Sequence, residues 1–554
     1  MDANTFAGLH LTYPDVSMAV WAPSMAAVHG DRAAVVDGDR SCSYRELDEW
    51  SAQFAGGLVA AGVQAGDVVL LHLGNGIEFF VAYYGTLRAG ATVTLVNPLQ
   101  PEPGLRRQIE ETSAVVAVTQ PPQLGTLRSA AVGTTVGTVV LVGGSPEDTG
   151  VGIIGFDRFL DGRQTVFTPV RVRGDDVAHI AFTGGTTGIS KGVRVLHRNV
   201  VANVTQMCGW RAGQAVVRTD GGLVDLRPIP DLDVYGVTPG VGSTIVVSPL
   251  FHAHALINAS FLLLCGVTQV MAGRFDPARM LELIERHRAS YVTGSPAMWH
   301  TLATHPDAAR RDTTSVRVVA SGAAPIDRVT LEALSVAFPQ ARVTEGYGLT
   351  EATCVVTAAP LGVGTAYRLG SVGLPVFDTE VRIRAQDDPG TELVAGERGA
   401  LWVRGPQVTG GYLGHPEITA QQFVDGWLDT GDIAYRDSDG YLYICDRAKD
   451  MLIYKGYNVY PRELEEILAT HPAVSTAAVI GRGAGAVGEE PVAFVVAVPG
   501  VAVDVAELMA FVAQQVLPYK KIREVVVIDA LPTSAAGKVL KTDLRAILQE
   551  AVAH

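Results

Sequence analysis

Apolar runs and helix-like periodic segments alternate along most of the chain. The spacing predicts a helix over residues 44–61, a strand over 68–73, a helix over 78–87 and a strand over 92–96. Further along, it predicts strands at 177–182, 244–248, 268–272, 291–293 and 316–320, and helices at 199–207, 256–264 and 277–287. Strands that are separated by helices form mostly parallel, doubly wound sheets, so the pattern indicates the α/β class.

The pattern changes near residue 395, where strands follow one another without intervening helices. Strands at 400–403, 427–432 and 441–444 predict a β-rich subdomain, and the charged stretch 446–450 is typical of a linker. A helix at 462–468, three short strands and a helix at 505–516 then predict a small α+β domain. We therefore expect a large N-terminal domain over residues 1–446 and a small C-terminal domain over 447–554.

Composition argues against several classes of function. Hydrophobic residues make up 48% and charged residues 18% of the 554 positions, which is typical of compact domains and not of disordered chains. The net charge of −14 argues against nucleic acid as a partner, and a polyanionic ligand would need local positive groups. Five scattered cysteines without a CxxC pair argue against a disulfide framework or a zinc site, and they fit a cytoplasmic location.

No targeting or membrane segment is expected from the sequence. The N-terminus lacks the basic and apolar regions of a signal peptide. The most apolar segment, residues 255–272, carries four polar side chains and a break at Gly266, so it predicts a buried helix and strand instead of a membrane span.

The densest chemical signal is the stretch 182–192, which reads FTGGTTGISKG. It follows the predicted strand 177–182, precedes the predicted helix 199–207, and holds four glycines, four hydroxyl side chains and one lysine. Backbone N–H groups freed by glycine, together with hydroxyls and a lysine, can hold a phosphate, although an ordinary surface loop has a similar composition. The ordinary P-loop pattern fails, because Lys191 is followed by Gly192 and not by Ser or Thr.

Other glycine-rich segments have more ordinary interpretations. The stretch 483–488 has dinucleotide-binding spacing, but a predicted strand at 492–496 follows it where that fold needs a helix, so we expect a plain turn. Residues 210–243 predict a loop excursion, which could be a lid or a surface insertion. The loops 321–325 and 345–351 follow predicted strands and, with the glycine loop, predict one cleft at the carboxyl ends of the strands.

In this order, the motifs resemble those of the adenylate-forming superfamily, which includes acyl-CoA ligases, peptide-synthetase adenylation domains and beetle luciferases. The resemblance covers residues 44–544. It implies a small domain that turns about a hinge at Lys449. It also implies an ATP-dependent reaction in which a carboxylate becomes an acyl-adenylate and then a thioester with coenzyme A (CoA). The co-substrates and cofactor implied are ATP, Mg²⁺ and CoA.

The resemblance also implies roles for individual residues. The triphosphate would be held by Thr183, Gly184, Gly185, Thr186, Thr187, Gly188 and Lys191. The remainder of the nucleotide would contact Gly322, Ala323, Ala324, Glu345, Gly346, Tyr347, Gly348, Thr350, Asp432 and Arg447. Glu351 would ligate Mg²⁺, and Lys538 would enter the site from the small domain and stabilise the charge of the adenylation step.

For the acid and the thiol, the resemblance points to a second set of residues. His252 would steer the carboxylate, and the acyl pocket would also involve His254, Gly322 and Ala323. Gly456 and Tyr457 lie in the segment that would face the cleft for CoA after the small domain turns. Taken singly, each residue also has an interpretation without a role in the site. A histidine at a helix start is usually structural, and Lys538 by itself would be a surface lysine.

Three features depart from the family pattern. Ser190 stands where many members have proline, Ile453 stands where plant and insect relatives often have lysine, and the excursion 210–243 is long. These departures leave open whether both half-reactions are retained.

We expect an ATP-dependent acyl-CoA ligase of fatty-acid or secondary metabolism, acting on an apolar, medium to large carboxylic acid. The small residues Gly322, Ala323 and Ala324 leave room in the pocket, and a bulky aromatic or terpenoid acid stays open. Acyl transfer to a carrier protein is an alternative, as is a chain that performs one half-reaction. A non-catalytic relative is the alternative of another class, and the joint presence of Lys191, Glu351, Asp432 and Lys538 argues against it.

Overall fold

The computed structural model describes residues 9–144, 152–183, 190–322, 326–362, 365, 367–455, 457–533 and 539–553. Several residues that the sequence placed in the site lie outside these ranges: Gly184, Gly185, Thr186, Thr187, Gly188, Ala323, Ala324, Gly456 and Lys538.

Several helices begin at a residue whose side chain caps the first turn. At the start of α2 the side chains of Ser43 and Glu46 each accept the other's backbone N–H, at 3.2 Å and 2.8 Å. The α-helices are α1 Trp21–His29, α2 Tyr44–Ala60, α3 Ile77–Arg88, α4 Glu102–Thr112, α5 Pro121–Ala131, α6 Phe156–Leu160, α7 His197–Ala212, α8 Ala253–Leu264, α9 Pro277–His287, α10 Pro296–Ala303, α11 Arg328–Ala337, α12 Pro416–Gln422, α13 Pro461–Ala469, α14 Val505–Ala513 and α15 Lys541–Ala553.

The strands of the structure include those predicted at 68–73, 92–96, 177–182, 244–248 and 268–272, which are confirmed, and others that the sequence analysis did not predict. They are β1 Ala33–Asp37, β2 Arg40–Ser43, β3 Val68–His72, β4 Thr92–Leu95, β5 Val116–Thr119, β6 Thr138–Leu141, β7 Ile153–Gly155, β8 Val177–Thr183, β9 Lys191–Leu196, β10 Gln214–Arg218, β11 Val224–Pro228, β12 Ser243–Val246, β13 Thr268–Met271, β14 Tyr291–Gly294, β15 Val318–Ser321, β16 Arg342–Gly348, β17 Val355–Ala358, β18 Leu374–Pro375, β19 Glu380–Arg384, β20 Gly399–Arg404, β21 Phe423–Val424, β22 Trp427–Arg436, β23 Leu442–Arg447, β24 Leu452–Tyr454, β25 Tyr457–Val459, β26 Val474–Gly483, β27 Glu489–Ala497 and β28 Glu524–Val527.

The glycine loop belongs to a seven-stranded sheet of order β7-β6-β5-β3-β4-β8-β9. Its strands run parallel except for β9, which pairs antiparallel with β8. The predicted layout of strand, glycine loop and helix is therefore wrong. The strand Lys191–Leu196 stands between the loop and α7, so the loop joins two strands and does not open a helix.

Two further sheets complete the α/β part and confirm the doubly wound prediction. One has the order β12-β13-β1-β2 and the other β14-β15-β16-β17-β18, with β14, β15 and β16 parallel. The helix α8 and the strand β13 confirm that residues 255–272 form a buried helix and strand. Among the residues described, no helix combines the length and the apolar character that a membrane crossing requires.

The segment 210–243 is neither a loop excursion nor a lid. The helix α7 continues to Ala212, and β10 then pairs with β11 in an antiparallel hairpin. Val216 and Val224 are buried in the main core, and the backbone N–H of Val224 donates to Ser24 Oγ at 2.9 Å. The glycines and prolines had suggested an irregular surface segment, but short apolar strands tie the hairpin to α1.

The C-terminal third contains a β-rich unit and a small α+β unit. The first has the strand order β19-β20-β22-β21, and β23 also pairs with β22, along residues 432–436. The second has the order β26-β27-β28, and α13 and α14 pack on it around Leu464, Val479 and Leu508. The stretch 483–488 connects β26 with β27, which confirms the prediction of a plain turn. The proposed domain boundary at 446/447 falls within the end of β23.

Candidate active site

The base of the glycine loop is a narrow hairpin neck. Thr183 and Lys191 are opposite partners in the β8–β9 ladder. The hydroxyl of Ser190 donates to the carbonyl of Thr183 at 2.6 Å. Two of the predicted triphosphate residues, Thr183 and Lys191, therefore lie side by side where the loop 184–189 leaves and rejoins the sheet.

A segment from the β-rich unit runs along the outer edge of β9 and brings a tyrosine to Lys191. The backbone of Arg194 exchanges hydrogen bonds with residues 410 and 411 at 3.1 and 2.8 Å, and Leu413 N–H donates to Gly192 O at 2.8 Å. As a result, Lys191 Nζ lies 5.8 Å from the ring centroid of Tyr412. Tyr412 was missed by the sequence analysis, because its position depends on this long-range pairing and no local motif marks it.

Tyr412 connects Lys191 to Glu351. The Tyr412 hydroxyl donates to Glu351 Oε1 at 2.8 Å. Burial and the Glu351 charge raise the pKa of Tyr412, so its hydroxyl keeps its proton and acts as a donor. Glu351 follows β16 and the backbone N–H of Thr409 donates to its carbonyl at 2.9 Å, which fixes the main chain at this residue. Tyr412 thus links Lys191, which was predicted to contact phosphate, with Glu351, which was predicted to ligate the metal.

Asp432 is the centre of a second group that the sequence had placed in the site. It stands opposite Arg447 in the β22–β23 ladder, and Arg447 Nε lies 2.7 Å from Asp432 Oδ1. The Tyr347 hydroxyl, from β16, donates to Asp432 Oδ2. The Asp432 side chain is only 4% exposed, so these two donors stabilise a buried carboxylate.

The charges in this group reinforce one another. Burial raises the pKa of Tyr347 and the Asp432 charge raises it further, so the hydroxyl stays protonated. Burial opposes the charge of Arg447, but the Asp432 carboxylate and the Tyr347 side chain hold the pKa of Arg447 above its ordinary value. Tyr347, Asp432 and Arg447 come from three strands and form one rigid, charged corner.

Glu345 is held by hydrogen bonds from residues outside the group around Asp432. Its side chain is buried and accepts hydrogen bonds from the Ile326 backbone N–H, at 2.9 Å, and from the Tyr367 hydroxyl. Burial raises the pKa of this carboxyl group. Glu345 therefore anchors the chain just after residues 323–325, a role that the sequence had not indicated, and a direct contact to nucleotide stays a prediction.

The two glycines beside Glu345 are explained by strand packing. A Cβ at Gly348 would lie 1.7 Å from the carbonyl oxygen of Cys354, and one at Gly346 would lie 3.0 Å from that of Thr357. Both positions thus allow β16 to approach the segment 354–358. Thr350 begins a short 3₁₀ turn, Thr350–Ala352, directly after this strand.

Three of the predicted acyl-pocket residues, His252, His254 and Gly322, lie at or beside the start of α8. His252 is the N-cap residue of α8, and its ring centroid lies 4.4 Å from that of Phe251. A Cβ added at Gly322 would lie 3.6 Å from His254 Nε2, so His254 and Gly322 are neighbours. Burial lowers the pKa of His254 to about 4, which makes this imidazole neutral near pH 7.

The predicted hinge lies among charged residues. Burial lowers the pKa of Lys449. Its neighbour Asp450 pairs with Arg545 of α15 at 2.9 Å, and Asp446 accepts the backbone N–H of Arg462 at 3.0 Å. These contacts tie the end of β23 and the segment that follows it to the small α+β unit.

The structure does not bring Tyr457 to the other site residues. Tyr457 lies on the β24–β25 hairpin, 56% exposed, and its ring stacks on Tyr519 with centroids 4.6 Å apart. Tyr519 belongs to the same small α+β unit. The prediction that this segment faces the cleft therefore depends on movement of that unit.

The residues present fit a magnesium ion that arrives with a polyphosphate. Within the described ranges, no group of three or more His, Cys, Asp or Glu side chains could hold a metal ion. Glu351 instead offers a single, partly exposed carboxylate, held at one oxygen by Tyr412. Mg²⁺ in nucleotide enzymes commonly takes one or two carboxylates, with phosphate oxygens and water completing the six ligands.

Comparisons with known proteins show which family and which individual proteins the chain resembles. The profile of the family described as AMP-binding enzyme matches residues 23–413, and that of the AMP-binding enzyme C-terminal domain matches residues 463–538. The 4-coumarate–CoA ligase 5 of Oryza sativa subsp. japonica is 34% identical over 527 residues, which are 94% of this chain and 92% of that protein.

A second relative and one solved structure extend the comparison. The 4-coumarate–CoA ligase 1 of Petroselinum crispum is 33% identical over 524 residues, 93% of this chain and 91% of its own length. The structure of ATP-bound MatB from Rhodopseudomonas palustris has a TM-score of 0.84 and 27% sequence identity, covering 96% of this chain and 99% of that one.

Proposed function

The chain belongs to the AMP-binding enzyme family, and from that premise we propose that it is an ATP-dependent acid–thiol ligase. It activates a carboxylic acid as an acyl-adenylate and then transfers the acyl group to CoA, with pyrophosphate and AMP as the other products. The observation that carries the proposal is the juxtaposition of Asp432, Tyr347 and Arg447 in one corner, with Glu351, Tyr412 and Lys191 in one contact series.

The first group suits the nucleoside. Arg447 Nε lies beside Oδ1 of Asp432, the Tyr347 hydroxyl donates to Oδ2, and a carboxylate oxygen has two lone pairs. Asp432 can therefore also accept from the ribose hydroxyls, while Tyr347 offers its ring face to the adenine. Arg447 beside Asp432 keeps the carboxylate charged and fixed in orientation.

The second group suits the phosphates. Lys191 and the hydroxyls of Thr183 and Thr350 would contact phosphate oxygens, and we assign residues 184–188 to the same triphosphate site. Glu351 would hold Mg²⁺, which when bound supplies positive charge beside the phosphate oxygens. The Tyr412 hydroxyl fixes the Glu351 carboxylate for this task.

In the first half-reaction, a carboxylate oxygen attacks the α-phosphorus and the bond to pyrophosphate breaks. The attack brings two negative groups together, so positive side chains aimed at the developing charge lower the barrier. Lys191 and Lys538 are the lysines proposed for this task. In the second half-reaction, a thiol attacks the acyl carbon and AMP leaves.

The acid would enter beside α8. His252, at the N-cap of α8, would steer the carboxylate toward the nucleotide. His254 is neutral near pH 7, so it lines the pocket as a flat, uncharged ring next to Gly322 and does not compete for the carboxylate. This lining favours an apolar acid of medium to large size.

We assign the domains to residues 1–446 and 447–554, with the hinge at Lys449. We assign the present orientation, in which Tyr457 is exposed, to the state before the small domain turns, when Lys538 would serve adenylation. After the turn, Gly456 and Tyr457 would face the cleft for CoA. The five cysteines are all unpaired, which fits the proposed cytoplasmic location.

Mass spectrometry of product mixtures tests the proposal. The purified chain is incubated with a library of acids, ATP, Mg²⁺ and CoA, and acyl-adenylates and thioesters are scored separately. We expect both products from at least one acid. A preference for a phosphopantetheinylated carrier protein over CoA would reassign the acceptor, and neither product, even from synthetic adenylates, would favour a non-catalytic relative.

The variant Lys538→Ala separates the two steps. Adenylation should slow by roughly 10²–10³, the scale for losing one stabilising donor, while thioester formation from a preformed adenylate survives. An equal loss in both steps would contradict the role given to Lys538.

A further inference from the structure

A cleft in the first part of the chain lies between the helices α2, α3 and α6 and the start of β2. Its volume is about 620 Å³, and small-molecule sites commonly measure about 300–1,000 Å³. These four elements supply none of the residues that the sequence placed in the nucleotide, acid or CoA sites. The cleft is therefore lined separately from the candidate active site.

The floor of the cleft is apolar. Ile77 and Val81 lie one turn apart on α3, and Phe156 and Leu160 have the same spacing on α6. Trp50 of α2 adds an indole ring to this floor. Trp50 and Leu160 are only partly buried against the main core, so part of their apolar surface stays open to the cleft. A ligand with an apolar body would cover that surface.

Carboxylates outnumber guanidinium groups around this floor. Arg40 and Glu78 line the cleft and pair with each other. The hydrogen bond to Glu78 raises the pKa of Arg40, and the charges of Asp37 and Asp157 raise it further. The positive charge of Arg40 is therefore already offset by the carboxylates beside it.

Two more carboxylates, of Asp157 and Asp161, line the cleft at the end of α6. The backbone N–H of Asp161 donates to Asp157 O at 2.9 Å, so the two residues lie one helical turn apart. Both side chains are exposed, and neither forms an ion pair within the described part of the chain. Arg158, between them in sequence, also lines the cleft without an ion pair there.

Gln53 supplies a neutral acceptor beside these charges. Its Nε2 donates to Arg163 O at 3.4 Å, so its amide oxygen is the end that can accept from a ligand. The cleft thus combines an apolar, aromatic floor with groups that accept hydrogen bonds and carry an excess of negative charge.

We propose that this cleft binds a small organic cation with an apolar body, such as an aryl or alkyl amine. The ammonium group would pair with Asp157 and Asp161, and the apolar body would pack on the floor beside Trp50, whose ring also attracts cations. An anion would meet the excess of carboxylates. A protein partner would need about 800 Å² of surface on each side, whereas the cleft has the volume of a small-molecule site.

The test compares ligands that differ only in the charge of the head group. The full chain is titrated calorimetrically with 2-phenylethylamine and with 2-phenylethanol, and then with the aliphatic pair hexylamine and hexan-1-ol. The variant Asp157→Asn/Asp161→Asn removes both carboxylates and keeps the size of the side chains. Its matched control is Asp387→Asn/Asp425→Asn, which changes the net charge equally at exposed positions outside the cleft.

We expect wild type to bind the amine of at least one pair at least about tenfold more tightly than the alcohol. The variant Asp157→Asn/Asp161→Asn should bring that ratio close to one, and Asp387→Asn/Asp425→Asn should leave it unchanged. Thermal melting checks that each variant folds. If the first variant does not fold, the single change Asp161→Asn carries the test, with a smaller loss of the preference expected.

Three results would overturn the inference. One is equal affinity of wild type for amine and alcohol, and another is a preference for the amine that the loss of the carboxylates does not reduce. The third is no binding of either amine up to about 10 mM, a concentration at which even a contact of about 3 kcal/mol gives measurable heat. None of these results bears on the proposed function, which is scored by adenylate and thioester formation.

Discussion

Arg398 and Glu463 face each other between the β-rich unit and the small α+β unit. Arg398 Nη1 lies 3.5 Å from Glu463 Oε2, and the Arg398 guanidinium lies 5.1 Å over the ring of Tyr460. Glu463 is also held by Lys520 Nζ at 2.6 and 2.7 Å, within the small unit. The Glu463 carboxylate is therefore shared between two partners. Lys520 belongs to the same small unit and would move with Glu463, whereas Arg398 belongs to the β-rich unit and would not follow a turn of the small domain.

Replacing Arg398 should shift the balance between the proposed half-reactions. In the variant Arg398→Met, the orientation before the turn loses its ion pair, while Lys520 still holds Glu463. We expect the ratio of thioester formation to adenylation to rise about two- to fivefold. A partly exposed ion pair stabilises one orientation by only a small free energy, which corresponds to a change of about this size. The two rates are measured separately, from pyrophosphate release and from preformed adenylate.

Arg404→Met is the matched control for this experiment. Arg404 pairs with Glu380 at 2.7 Å inside the β-rich unit, so its loss removes a similar surface ion pair without touching the small domain. A ratio that changes equally in both variants, or in neither, would contradict an orienting role for Arg398.

Asp432 is expected to control nucleotide affinity. The variant Asp432→Asn replaces the charged acceptor between Tyr347 and Arg447 with a neutral amide. Hydrogen bonds to a charged group contribute about 1.5–3 kcal/mol, so the dissociation constant of ATP should rise roughly 10- to 100-fold. Calorimetric titration with ATP measures this, and thermal melting checks that the variant folds.

Asp429→Asn provides the comparison on the same strand. Asp429 accepts the Gly431 backbone N–H at 3.0 Å and lies three residues before Asp432 in β22. The variant should leave ATP affinity within about twofold, because it alters a hydrogen bond within β22 and no contact with Tyr347 or Arg447. ATP affinity that is unchanged in Asp432→Asn would remove Asp432 from the proposed nucleotide site.

Glu351 is expected to set the magnesium requirement. In Glu351→Gln, a charged oxygen ligand becomes a neutral one, and Tyr412 still has an oxygen to which it can donate. The Mg²⁺ concentration for half-maximal adenylation should rise about tenfold, with the maximal rate partly recovered at high Mg²⁺. Glu111→Gln, which alters a carboxylate 3.4 Å from the Gly192 N–H, is the control. A magnesium dependence that is unaltered by Glu351→Gln would contradict the assignment.

Buried neutral histidines should make the fold sensitive to acid. Burial lowers the pKa of His179 to about 3 and that of His197 to about 4. In the unfolded chain both groups titrate near about 6.5, so below that pH the unfolded state binds more protons than the native state. Their contribution to stability is present above that pH and is lost as the pH falls toward 4. Between pH 7 and pH 5 the free energy of unfolding should fall by about 2 kcal/mol for each histidine.

Chemical denaturation of His179→Asn at the two pH values isolates one of these groups. Asparagine can retain the contact with Tyr83, whose hydroxyl oxygen lies 3.2 Å from His179 Nδ1. The drop in stability on acidification should be smaller in this variant than in wild type. His415→Asn, at a half-buried position away from His179, should show the wild-type drop. An identical drop in all three proteins would refute the role of His179.

Strongly periodic elements of the fold were predictable from the sequence. The helix α9 has the bounds 277–287 that the sequence predicted, because Asp276 caps its first turn and Pro277 opens it. The strand β9 was missed, since its six residues adjoin the glycine loop and a helix pattern starts soon after. The short helices α10 and α11 were also missed, and the hairpin β10–β11 was mistaken for irregular chain.

The residues of the candidate site were likewise predictable only where a local sequence motif marks them. Tyr347, Asp432 and Arg447 were placed in one cleft by their motifs, and the structure brings them into contact. Tyr412 and Tyr367, which hold Glu351 and Glu345, carry no local signal. Their positions follow from pairing between segments far apart in sequence, and hydrophobic periodicity contains no information about such pairing.

The covered edge of β9 has a consequence for how the chain folds. β9 is the last strand of its sheet, and its outer side pairs with residues 410–413, including a bridge between Val193 and Tyr412. An uncovered strand edge is a template for pairing with other chains. During synthesis, β9 is made long before residues 410–413, so the nascent chain carries an open edge until the β-rich unit docks. A chain released before residue 410 would keep that edge and self-associate.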